Sequence, residues 1–245
     1  LSTALLCILA FLPASPASAS PRSFVERAPS GNSIDLDVYG ERGPAIMILH
    51  GFMSSKDHHK DTAEMLAQSG FIVIVPDLTY DLWTSNHAER ALDVQFLLDR
   101  LRQGAYTHPP DRIALVGHSA GGLTALLAAS GQSVSALVLL DPVVSAGRPG
   151  TRTRAISDLE LQRISVPVLV VEGAPHACNN YRDRGFEMMP LLGASVKERI
   201  VLLDASHCDF MDRHLGCQLF CGRGSEESRQ LALDSMMVFL NRYAK

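Results

Sequence analysis

Five short, wholly apolar runs recur along the chain, and most of the gaps between them read as helices. The runs are Ala45–Leu49 (AIMIL), Phe71–Val75 (FIVIV), Ile113–Val116 (IALV), Ala136–Leu140 (ALVLL) and Val168–Val171 (VLVV). A strand with one wet face alternates apolar and polar residues, so a strand that is apolar throughout needs cover on both faces. The cover lies in between: a helical pattern over Lys60–Ser69 stopped by Gly70, a second from Asn86 to Gly104, and a third over Ala120–Ser130. The second starts on a capping box, with Glu89 three residues after Asn86. Ser33–Tyr39 alternates and reads as a half-exposed strand, Arg199–Leu203 as the last strand, and Glu226–Tyr243 as a closing helix. Strands alternating with helices specify an α/β fold: a mainly parallel central sheet flanked by helices, with its reactive groups at the C-terminal strand ends. The stretch Pro142–Pro167, with Arg148, Arg152, Arg154 and Arg163, departs from the alternation and reads as a small lid or a loop.

The first nineteen residues stand apart. Leu5–Leu12 (LLCILAFL) is an apolar run too short to span a bilayer, and it leads into Ala17-Ser18-Ala19. This reads as a secretory leader over residues 1–19, cleaved before Ser20 and expected to begin upstream of Leu1, with one domain over 20–245. Cys7 follows Leu6 rather than the small residue of a lipoprotein signal, so no acylation is expected there. The remaining cysteines are Cys178, Cys208, Cys217 and Cys221. Their even number in an exported chain implies two disulfides in one of three pairings, and a secreted or periplasmic location. Cys217, Cys221, His207 and His214 lie close in sequence, but without a C-x-x-C pair a metal site is not expected. With 22 Lys+Arg against 26 Asp+Glu and no dense basic tract, no nucleic-acid footprint is visible.

Gly117-His118-Ser119-Ala120-Gly121 matches G-x-S-x-G, directly after the run IALV and opening the Ala/Leu-rich helix. That is the strand–turn–helix setting of a nucleophile elbow, in which the Ser119 hydroxyl stands at a helix N-terminus that favours negative charge. A serine hydroxyl needs a base to take its proton. His207, four residues after the last strand in DASHCD, sits where the chain order Ser–acid–His places one. His118 adjoins the nucleophile but is expected to point elsewhere. His50 ends a strand, His58 and His59 read as a pair on a solvated loop, and His87, His108, His176 and His214 lack supporting context. Two carboxylates compete to orient the base: Asp141, directly after ALVLL, and Glu172, directly after VLVV. Both obey the required order, and spacing alone leaves both open. The oxyanion needs two backbone N–H donors, expected from Ala120 and from Phe52 in the loop after AIMIL, with Met53 in reserve. Phe52, Met53 and Trp83 are candidates to line an acyl pocket.

Together the segments ILHGFMSS, SGFIVIVPDL, LVGHSAGG, LVLLDPVV, VPVLVVEG and SHCDFMD resemble the α/β-hydrolase superfamily. Within it they look like the chlorophyllase group and its bacterial relatives, near the dienelactone-hydrolase, platelet-activating-factor acetylhydrolase and polyesterase branches. The resemblance implies an α/β-hydrolase fold with no large cap domain. It also implies Asp141 as the acid, because chlorophyllases carry theirs in a similar Asp-Pro-Val, and they carry a pair similar to Asp209-Phe210 beyond the base. Plant chlorophyllases have Arg where this chain has Ala120, so ester hydrolysis carries over and chlorophyll as substrate does not.

These readings converge on a serine carboxylic-ester hydrolase needing no cofactor and no metal. Its expected substrates are short acyl esters or exposed polymer esters. A thioesterase, lactonase or peptidase would use the same residues, and a non-catalytic hydrolase-fold binding protein would need none of them.

Overall fold

In the computed structural model, residues 20–80, 86–144, 156–182 and 185–245 are described. The expected leader over 1–19, Trp83, and Arg148, Arg152 and Arg154 lie outside them. The chain runs β1 (Arg22–Arg27), β2 (Ser33–Tyr39), β3 (Ala45–Leu49), α1 (Lys60–Gln68), β4 (Ile72–Pro76), α2 (His87–Arg102), β5 (Ile113–His118), α3 (Ala120–Gly131), β6 (Ala136–Leu140), α4 (Asp158–Arg163), β7 (Val168–Glu172), α5 (Gly185–Leu191), β8 (Lys197–Val201), α6 (Leu215–Cys221) and α7 (Glu226–Tyr243). The strands form one eight-stranded sheet in the order β1-β2-β4-β3-β5-β6-β7-β8. β1 and β2 pair antiparallel, as do β2 and β4; every other neighbour pair is parallel.

Alternation along each strand divides the core in two. In β3, Met47 and Leu49 face one layer while Ile46 and Ile48 face the other. The first layer packs under α2 and α3 through Leu97, Leu101, Leu123 and Leu126. The second packs under α1 and α7 through Leu66, Met236, Phe239 and Leu240. α3 is buried along nearly its whole length, which is why its sequence has no polar face.

The sequence-based elements appear, with departures at β1, β8 and α4, and with α5 and α6, which were not expected. β1 was not expected, because an edge strand reading RSFVER is largely exposed and shows no apolar run. β8 begins two residues before the expected Arg199, since its part-exposed residues carry no continuous apolar signal. Within Pro142–Pro167 the described residues include α4, which starts on a capping box of Ser157 and Glu160. α2 starts where expected, with the Asn86 side chain accepting from the Glu89 N–H.

Parallel register aligns the strand ends. Leu49 lies opposite Gly117, His118 opposite Leu140, and Leu140 opposite Val171. The next residues along the chain are therefore brought to one edge: His50-Gly51, Ser119, Asp141 and, after Glu172, Gly173.

Candidate active site

Ser119 sits between β5 and α3 with φ 54° and ψ −121°, a conformation that a side chain adopts only under constraint. Its N–H donates to Leu140 O at 3.0 Å, and its carbonyl accepts from Gly122 N at 2.9 Å and Val143 N at 3.0 Å, so the turn is tied to the end of β6. The turn closes only because glycine flanks it: a Cβ at Gly117 would lie 2.5 Å from Gly121 O. A Cβ at Gly51 would lie 2.9 Å from Ser119 Cβ, which puts the loop after β3 directly against the serine. Phe52 and Met53 follow on that loop, Phe52 half-exposed and Met53 exposed with φ 54°. Ala120 is the first residue of α3.

Asp141 also lies at positive φ, 43°. Its buried carboxylate is fully engaged. Oδ2 lies 2.6 Å from His207 Nδ1, while Oδ1 accepts from Gly173 N at 2.9 Å and Asn179 Nδ2 at 3.2 Å. An Nδ1–H donated to a carboxylate leaves Nε2 as the nitrogen able to accept a proton. Among the described residues no hydrogen bond joins Nε2 to Ser119 Oγ; such contacts are often long before substrate binds and tighten in the complex.

Glu172 is engaged elsewhere. Its Oε2 accepts from Arg199 Nε at 2.7 Å and lies 2.6 Å from the same guanidinium's Nη2, across the β7–β8 pairing. Glu172→Gln is therefore expected to leave kcat within about twofold while lowering stability by about 1–3 kcal/mol, moderated because Arg199 reaches solvent. Thermal denaturation beside an activity assay reads both effects. A large kcat loss would return Glu172 to the site.

His207 opens a short 3-10 turn, His207–Phe210, capped by Ser206 and Asp209 in a reciprocal capping box. Downstream, Asp212 accepts from Asp61 N at 2.7 Å and from Thr62 Oγ1 at 3.0 Å, which pins the segment to the start of α1. Arg229 Nη1 donates to Met211 O at 2.6 Å.

The remaining histidines are structural in their contacts. His118 packs against His207, with ring centroids 4.7 Å apart and its Nε2–H donated to His207 O at 3.0 Å. His59, expected on a solvated loop, is buried, its ring 6.0 Å from that of His118; the core beneath the site, rather than solvent, receives it. His58 does lie nearer the surface, against His214 at 4.0 Å. His50 holds its proton on Nδ1, donated to Gly51 O at 2.8 Å, because its Nε2 accepts from Leu78 N at 2.8 Å; its 3.3 Å approach to Asp77 is thus not an ion pair.

Burial, reinforced by the neighbouring His207, pushes His118 down to about 3 from an ordinary 6.5, and burial also pushes His59 well down. The unfolded chain binds those protons first, so this contribution to stability is whole above pH 6.5 and is lost as the pH falls toward 3. Burial raises Asp209 and Asp212, which act in the opposite sense. His118→Gln, which keeps an N–H donor, is expected to flatten the acid fall of Tm, the stability recovered at low pH being on the order of a few kcal/mol. An unchanged Tm–pH slope would mean that His118 is not held neutral.

The four cysteines form two disulfides, Cys178–Cys221 and Cys208–Cys217. Both tie to α6, which buries none of its own residues. Sequence reasoning missed Asn179, which nothing local marks, and the partnership of Arg199 with Glu172. A local signal did exist for the turn under His207, since Ser206-x-x-Asp209 is a readable capping box.

Sheet order and an elbow at the end of β5 together define a hydrolase scaffold. A profile of the alpha/beta hydrolase fold matches residues 44–167, about half of the chain. The chain belongs to that family. Chloroplastic chlorophyllase-1 of Citrus unshiu is 24% identical over 202 residues, an alignment covering 74% of this chain and 61% of the chlorophyllase. The chain thus spans about three fifths of that relative's length. Dienelactone hydrolase from Anabaena variabilis superposes with a TM-score of 0.68 at 17% identity, over 93% of this chain and 100% of that one. Esterase 2 of Thermogutta terrifontis, phosphoramylated by tabun, superposes at 0.67 with 18% identity, over 94% and 97%. At these identities the two structures share the fold.

Proposed function

We propose that this chain is a serine hydrolase of carboxylic esters, with Ser119 as nucleophile, His207 as base and Asp141 as the carboxylate that orients it. The pairing of Asp141 with His207 at 2.6 Å, beside the elbow that carries Ser119, is the observation that supports the reading.

Ser119 Oγ attacks the ester carbonyl as His207 Nε2 takes its proton, and Asp141 stabilises the imidazolium. The carbonyl electron pair moves to oxygen, where the N–H groups of Ala120 and Phe52 hold it. Collapse breaks the ester C–O bond, and the departing alcohol oxygen takes the proton from His207. Water then attacks the acyl-enzyme, giving its proton to His207. The carboxylic acid leaves, and the proton returns to Ser119. Each step uses the chain's own side chains and water.

Phe52 and Met53, half-exposed and exposed beside the serine, are the proposed contacts for the acyl chain. Trp83 keeps that role as a proposal from sequence. The two disulfides favour an oxidising compartment, and we take the enzyme to be exported. Among the described residues no helix is long and apolar enough to cross a membrane.

A panel of p-nitrophenyl esters of rising acyl length, with matched thioesters, lactones and peptides, tests the assignment. Turnover of short esters above the others is the expected result. A preference for another bond would move the protein to that reaction, and no turnover of any would make it a binding protein.

A further inference from the structure

Asp141 is gripped from two sides, and only one side belongs to the reaction proposed above. His207 takes Oδ2. On the other side Asn179, buried to 1% exposure, donates its amide to Oδ1 at 3.2 Å and to Ala174 O at 2.7 Å, while its own Oδ1 accepts from His176 N at 2.8 Å. A side chain buried this deeply and committed at both ends of its amide has one orientation open to it.

The covalent frame repeats the arrangement. Cys178, next to Asn179, is bonded to Cys221, and Cys208, next to His207, is bonded to Cys217. Cys217 and Cys221 lie four residues apart on α6, one above the other on one face. The path from Asn179 through Cys178, α6 and Cys208 to His207 closes a ring whose last member is the Asp141 carboxylate. Residues on two separate loops are thereby held at a set separation on either side of it.

We propose that Asn179 is a positioning residue for Asp141, fixing the carboxylate from the side opposite His207 so that its free edge meets the imidazole in plane. This rests on the reading of Asp141 and His207 as the acid–base pair.

A donor on Oδ1 also spreads the carboxylate's charge. Without it, Asp141 holds more charge on Oδ2 and stabilises protonated His207 more strongly. His207 faces Asp141 and the neutral His118 ring, with Asp209 on its own turn, so Asp141 is the charged group within hydrogen-bond reach. Asn179→Leu, of similar volume but without a donor, is therefore expected to lower kcat about tenfold with little change in KM. It is also expected to move the acid limb of the kcat/KM profile up by about half a pH unit. Asn179→Ala, which removes the same donor with a smaller side chain, should move the limb in the same direction, and it carries the test if the leucine variant does not fold. A limb that stays in place in the folded variants, with only Tm falling, would overturn the proposal and leave Asn179 a packing residue. Asp141→Asn, run alongside, separates the two readings. Full activity in Asp141→Asn would remove the acid–base pair itself, whereas its expected loss beside silent Asn179 variants would remove only this proposal.

Discussion

Replacing Ser119 with alanine is expected to cut kcat for a p-nitrophenyl ester by about four to six orders of magnitude, leaving the residual rate that oxyanion stabilisation and binding supply. The loss should fall on chemistry and leave the fold intact. Ser119 Oγ makes no hydrogen bond with a described residue, the backbone contacts of the turn run through its N–H and carbonyl, and alanine can sit in the same φ 54° conformation. Tm is therefore expected to stay within about two degrees, since removing a hydroxyl from a constrained turn is near neutral. A fluorophosphonate probe read by peptide mass spectrometry gives an independent check. The adduct should appear on the peptide containing Ser119 in the wild type and disappear in the variant. Turnover within tenfold of wild type would remove Ser119 as nucleophile and, with it, the covalent mechanism.

Asp141→Asn should cost about four orders of magnitude in kcat, and the reason lies in the donors on its other oxygen. Gly173 N–H and the Asn179 amide both point at Oδ1. They require an acceptor there, so an asparagine at 141 must turn its carbonyl toward them and its NH2 toward His207. Nδ1 of His207 then has to accept, and the ring proton moves to Nε2, the nitrogen that must take the serine's proton. The shape of the site survives while the tautomer is wrong. Because Glu172 is occupied by Arg199, it is not expected to substitute. Comparison of Asp141→Asn with Glu172→Gln by kcat at fixed pH is decisive: equal losses, or a loss confined to Glu172, would overturn the assignment of the acid.

Much of the fold was legible because its signals are local. A strand buried on both faces must be apolar at every position, and AIMIL, ALVLL and VLVV show that in five or fewer residues. The elbow was legible for the same reason. Gly117 answers to a steric clash with Gly121, four residues away, and that requirement is written into the motif itself, whereas Gly121 answers to the backbone of Leu49 and His50 at the end of β3. Edge strands and surface helices left weaker traces. β1 and β8 are largely or partly exposed, and α6 buries nothing, so no apolar pattern was required of them.

By itself, then, the sequence determined the alternation of strands and helices, the serine at the tip of a strand–helix turn, and a histidine after the last strand, because each depends on residues adjacent along the chain. The tertiary structure alone decided which carboxylate meets His207, how the four cysteines pair, that His118 lies beneath the site, and that Asn179 takes the far side of Asp141. Those contacts join residues 38 to 89 positions apart, apart from the nine-residue Cys208–Cys217 span. Which of two candidates in the same chain order makes such a contact depends on where neighbouring loops come to rest: Arg199 reaches Glu172 across the β7–β8 pairing, and Asp141 is the carboxylate left facing the imidazole.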